Sequence, residues 1–137
     1  MSALDGVSTG ARALYETYLA TVVPLFSGES TDLAPLIALC AVPMTVVLPD
    51  ACRVLPDEAA LARFFAAQID QLRRVRYANT TVHRLEVRPL NPRAAWVEGV
   101  FSRHTREGQE LARFGTVYLV VKPTDRWQFS SLIITAA

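Results

Sequence analysis

Ala94-Ala-Trp-Val-Glu-Gly-Val-Phe-Ser-Arg-His-Thr105, Leu111-Ala-Arg-Phe-Gly-Thr-Val-Tyr-Leu-Val-Val-Lys122 and Trp127-Gln-Phe-Ser-Ser-Leu-Ile-Ile-Thr135 read as three long β-strands. The connectors Arg106-Glu107-Gly108-Gln109 and Pro123-Thr124-Asp125-Arg126 are short and polar, and each holds a Gly or Pro, as hairpin turns do. The last two strands are apolar on both faces. Tyr118 and Val120 alternate with Val117, Leu119 and Val121, and Leu132 and Ile134 with Ile133. One face can pack under helices; the other is exposed apolar surface unless a partner covers it.

Upstream of these strands the pattern is mostly helical. Residues 1–9 read as a loose leader. From Gly10, the residues Ala11, Leu14, Tyr15, Tyr18, Val22, Leu25 and Phe26 recur at spacings of three and four and share one helical face. Pro24 is expected to kink or end this helix near its C-terminus, with Ser27-Gly28-Glu29-Ser30 as the break. Thr31 or Asp32 caps a short second helix carrying Leu33, Leu36, Ile37 and Cys40, with Pro35 in its first turn. Met44 to Leu48 is a β-branched run between Pro43 and Pro49, with Arg53-Val54-Leu55 as its return; the prolines place it at a sheet edge. A third helix opens at Pro56-Asp57-Glu58, buries Leu61, Phe64, Phe65, Ile69 and Leu72, and closes on arginines that complement its dipole. Thr80 to Leu90 alternates as a strand, with His83, Leu85 and Val87 on one face and Arg84, Glu86 and Arg88 on the other. No linker or repeat divides residues 1–137, which read as a single domain.

Composition removes several classes of function. Hydrophobic residues make up 51% and charged residues 20% of 137, which excludes a disordered chain. A net charge of +1, with arginines interleaved among acids, gives no concentrated basic face for nucleic acid. No apolar run reaches the roughly 18 residues of a membrane span. Two cysteines, Cys40 and Cys52, make no disulfide framework and match no metal spacing, and the reading favours a cytoplasmic protein. His83 and His104 lie 21 positions apart without a companion acid at ligand spacing, so no metal or cofactor is expected.

Three stretches carry a family resemblance. Leu36-Ile-Ala-Leu-Cys-Ala-Val-Pro-Met-Thr-Val-Val-Leu-Pro49 resembles the helix running into the first strand of the nuclear-transport-factor-2-like superfamily, which includes SnoaL-like cyclases and ketosteroid isomerases. Asp57-Glu-Ala-Ala-Leu-Ala-Arg-Phe-Phe65 resembles its third helix, and Thr124-Asp-Arg-Trp-Gln-Phe129 its last turn. The resemblance implies an α+β cone fold of cystatin-like type: a strongly curved mixed or antiparallel sheet covered by three helices, with a ligand cavity at the open end. It also implies a homodimer through the sheet face.

The catalytic positions of ketosteroid isomerases do not carry over. Leu48 stands before Pro49 where those enzymes hold an aspartate base. The position of their second acid falls near Val117, and neither Leu nor Val moves a proton. Tyr18 matches the family's tyrosine on the first helix. The implied cavity would be lined by Tyr15, Tyr18, Phe65, His83, Trp96, Glu98 and Tyr118. His83 reads either as a hydrogen-bonded histidine beside the core or as a catalytic base. Glu98 is a buried carboxylate with a raised pKa if its face is concave, and an ordinary solvated glutamate if convex; Val97, Gly99 and Phe101 compete for the inner face.

Three readings of function follow. The first is a cone-fold protein binding a small apolar or aromatic ligand. The second is a lyase, isomerase or cyclase using His83 and Glu98. The third is a non-catalytic dimeric interaction module. Fold alone does not rank them.

Overall fold

The computed structural model describes residues 4–136. Helix α1 (Asp5–Ser27) and the short α2 (Ala34–Ile37) precede the hairpin β1 (Cys40–Leu48) and β2 (Ala51–Leu55). Helix α3 (Glu58–Arg74) follows, and then four long strands: β3 (Tyr77–Asn91), β4 (Ala94–Thr105), β5 (Glu110–Val121) and β6 (Gln128–Thr135). The six strands form one curved, unclosed sheet in the order β2-β1-β6-β5-β4-β3. All neighbours are antiparallel except β1 and β6, which run parallel. The architecture is the α+β cystatin-like cone expected from the sequence.

The helices cover one face. Val97, Ala95 and Phe101 of β4 and Tyr118, Val120 of β5 are buried there with Leu14, Tyr15 and Val22 of α1. Alternation along each strand therefore sends Ala94, Trp96, Glu98, Val100, Ser102 and His104 to the opposite, convex face. Asp57 caps α3 by accepting a hydrogen bond from Ala60 N–H at 2.9 Å, and Arg73 and Arg74 occupy its last turn.

Three expectations need correction. Helix α1 starts at Asp5, so residues 5–9 are its opening turns and not part of a leader; Val7, 5% exposed, anchors them in the core. Residues 1–3 lie outside the described ones. Pro24 lies in the last turn of α1, which ends at Ser27, at the break expected from the sequence; Gly28 then takes the left-handed conformation, and the N–H groups of Gly28 and Ser30 cap the carbonyls of Leu25 and Pro24. Cys40 opens β1 and does not close α2, because its strand pairs with β6 from Cys40 onward. Finally, β1 is not an edge strand. Pro43 is accommodated by the register break between Cys40 and Thr45 against β6, where no ladder bond needs its missing N–H.

Candidate functional site

The concave side of the sheet closes on α1 through aromatic rings. Helical spacing brings Tyr15, Tyr18 and Phe26 to one face, and strand alternation brings Phe101, Tyr118 and Phe129 to meet them. Ring centroids lie 5.7 Å apart for Tyr15–Phe101, 5.9 Å for Tyr15–Tyr118, 5.0 Å for Tyr18–Phe129 and 4.9 Å for Tyr118–Phe129. These are distances at which aromatic pairs attract beyond the area they bury. Phe101 can reach Tyr15 because Gly99, two residues earlier on the same face, leaves room: a Cβ there would fall 2.6 Å from the Phe101 ring.

What remains open in this interior is about 30 Å³, roughly the volume of one water in the liquid. Arg103 and Phe114 line both that interior and a larger mouth of about 240 Å³, walled by Leu48, Phe64, Gln68, Leu132 and Ile134. Leu48, Phe64 and Gln68 are shared in turn with a groove of about 580 Å³ between α3 and the β1–β2 hairpin. Groove, mouth and interior thus adjoin in sequence through shared walls.

Burial sets the electrostatics. The phenols of Tyr15, Tyr18 and Tyr118 are all raised above their ordinary value, first by desolvation. Tyr18 donates toward the Tyr118 hydroxyl, which raises Tyr18 further and partly offsets the rise at Tyr118. The Arg103 guanidinium lies 4.6 Å from the centre of the Phe114 ring and 5.4 Å from that of Phe26. No carboxylate pairs with it among the described residues. Thr116 is 3% exposed, and its hydroxyl makes no hydrogen bond of good geometry, although it lies near enough to the Tyr118 phenol to offset part of the rise there.

The residues expected in the cavity divide into three groups. Tyr15, Tyr18 and Tyr118 line the interior. Phe65 is 3% exposed in the core, whereas its neighbour Phe64 lines the mouth. His83, Trp96 and Glu98 do not enter the cone, which corrects their expected place. Trp96 lies on the convex face under Arg88, whose guanidinium carbon is 5.6 Å from the ring centroid. Glu98 stands opposite Glu86 on β3 and Val117 on β5. His83 sits at a register shift between Val82 and Arg84, which breaks the alternation with Leu85 and Val87 that the sequence suggested.

There His83 Nε2 meets Ser102 Oγ at 2.7 Å, and the same hydroxyl meets His104 Nε2 at 2.7 Å. Ser102 is fully buried. Glu98 is four residues from Ser102 along β4, about 13 Å at strand rise. His83 and Glu98 therefore do not converge on one reacting atom.

Arg103, Phe114 and Thr116 were not picked out from the sequence. The signal for Arg103 was present: it follows Val97, Gly99 and Phe101 at spacings of two, on the inner face. Among the described residues no group of three or more His, Cys, Asp or Glu side chains could hold a metal, and no helix is long and apolar enough to cross a membrane.

Comparison with known proteins places the chain. The family model described as "NTF2-like protein (DUF6841)" matches residues 8–137. No curated protein matches. Among solved structures, a protein of unknown function with a cystatin-like fold from Nostoc punctiforme is 16% identical, with a TM-score of 0.71 over 100% of this chain and 94% of that one. A ketosteroid isomerase-like protein from Erwinia carotovora atroseptica is 14% identical, with a TM-score of 0.71 over 96% and 97%. An NTF2-like protein of unknown function from Pseudomonas putida is 12% identical, with a TM-score of 0.70 over 96% and 87%. At these identities the likeness concerns the fold.

Proposed function

The chain belongs to the NTF2-like protein family DUF6841, and we propose that it binds a small apolar or aromatic molecule at the open end of its cone. The observation that carries this reading is the mouth of about 240 Å³, walled by Leu48, Phe64, Phe114, Leu132 and Ile134, adjoining a tyrosine-lined interior. Small-molecule sites are concave and mostly apolar, with a few convergent polar groups, and this one has that make-up. The neutral fluorescent probe 1-aminoanthracene tests it. One probe should bind per chain, and Gln68→Trp, which places an indole in the mouth, should abolish binding. Absence of binding, or binding that survives Gln68→Trp, overturns the reading.

A second reading concerns association. Cross-strand rows on the convex face place Val47, Ile133 and Val117 side by side, with Leu119 and Trp96 in the next row. This apolar surface has no helix over it, and it supports a homodimer formed through the sheet face. A reducing compartment such as the cytoplasm suits the two free thiols, Cys40 buried and Cys52 exposed.

A further inference from the structure

We propose that the throat between interior and mouth is a carboxylate-binding site, with Arg103 as the counter-charge, so that the ligand is a small monoanionic acid whose apolar body fills the mouth. This rests on the cavity reading above and adds the chemical class of the ligand. Three observations carry it. Arg103 extends from β4 between the Phe26 and Phe114 rings, lines both the interior and the mouth, and has no carboxylate partner among the described residues. Thr116, buried on the same interior wall, has a hydroxyl without a partner. The phenols of Tyr15, Tyr18 and Tyr118 surround the same space.

A charge held away from water is costly unless it is paired and hydrogen-bonded. Here the guanidinium lies against two rings, and no carboxylate meets its N–H fork among the described residues. A carboxylate matches that fork with two parallel hydrogen bonds. Thr116 and the phenols of Tyr15 and Tyr118, kept protonated by burial, are donors for the remaining lone pairs.

Size fixes the direction of entry. About 30 Å³ admits a head group but no ring, so the charged end points inward and the body stays in the mouth of about 240 Å³. A single cation at the throat favours a single negative charge over a phosphate dianion. Arg53 and Arg63, the other arginines near the opening, line the outer groove and neither the mouth nor the interior.

The test uses the full chain and sodium phenylacetate, indole-3-acetate and octanoate, each titrated against its own primary amide. The acids should bind about tenfold or more tightly than the amides, since a desolvated charge-assisted pair is the strong kind of hydrogen bond. Arg103→Met should erase that preference, the acids losing more affinity than the amides. On the wild type, the Arg103 Nε–H resonance should shift with the acids and stay put with the amides. The wild-type acid-to-amide comparison decides the matter even if Arg103→Met does not fold. Equal binding of acid and amide, a preference untouched by Arg103→Met, or tighter binding of phenyl phosphate than of phenylacetate overturns the carboxylate site and leaves the cavity reading standing. Failure of both acids and amides to bind overturns both.

Discussion

Trp127 occupies the space that a side chain on Gly10 would need. A Cβ built on that glycine falls 2.7 Å from Cδ1 of the indole and closer still to Nε1. The helix and the turn before β6 are locked together at this point. Glycine inside a helix costs about 1 kcal/mol relative to alanine, so its presence in α1 is explained by what it admits. Gly10→Ala should lower stability by about 1 kcal/mol, the overpacking outweighing the gain in propensity. In a Trp127→Ala background the same substitution should change sign and stabilise. Denaturant unfolding of the four proteins of this cycle measures the reversal.

The buried acids of the cone predict an alkaline limit to stability. Burial pushes the Cys40 thiol from 9.0 up to about 12 and holds Tyr15, Tyr18 and Tyr118 well above or above 10.0. Each group is neutral in the folded chain at a pH where the unfolded chain has already lost the proton. The unfolded state then binds fewer protons, so stability falls as pH rises. This contribution is intact below pH 9, begins to erode there through Cys40, and erodes faster from pH 10 as the tyrosines join. Melting temperatures between pH 8 and 12 should show this, and Cys40→Ala should delay the onset toward pH 10. A flat profile over that range would contradict the burial of these groups.

The convex face makes its own prediction. Ile133 stands between Val47 and Val117 in one cross-strand row. Light scattering at low micromolar concentration should give a dimer, and Ile133→Lys a monomer with unchanged circular dichroism. A monomeric wild type at that concentration would count against association through the sheet.

Much of the fold could be read from alternation alone. The limits of β4, Ala94 and Thr105, coincide with those of the stretch quoted at the outset, because apolar alternation and two turn signals bound it. The start of α1 was hidden: Gly6, Ser8, Thr9 and Gly10 are poor helix formers, and burial of Val7 overrides their propensity. The direction of His83 was not legible, because a register shift at Val82/Arg84 leaves no local mark in the sequence. Trp96 and Glu98 followed their parity, but parity alone does not say which face is covered; the contact between Tyr15 and Phe101 does. Arg103 is the opposite case. Its parity is plain, but a charged side chain is costly on an inner face. The Phe26 and Phe114 rings make that place tolerable.

The hydroxyl of Ser102 has one hydrogen to give, yet it bridges two imidazole Nε2 atoms. When both rings are neutral they cannot both accept from this oxygen, so at least one of His83 and His104 carries its proton on Nε2 and donates to it. Where the serine gives its own hydrogen to the other ring, the two are opposite tautomers, and reversing that short relay on the outer sheet requires both rings to move their protons.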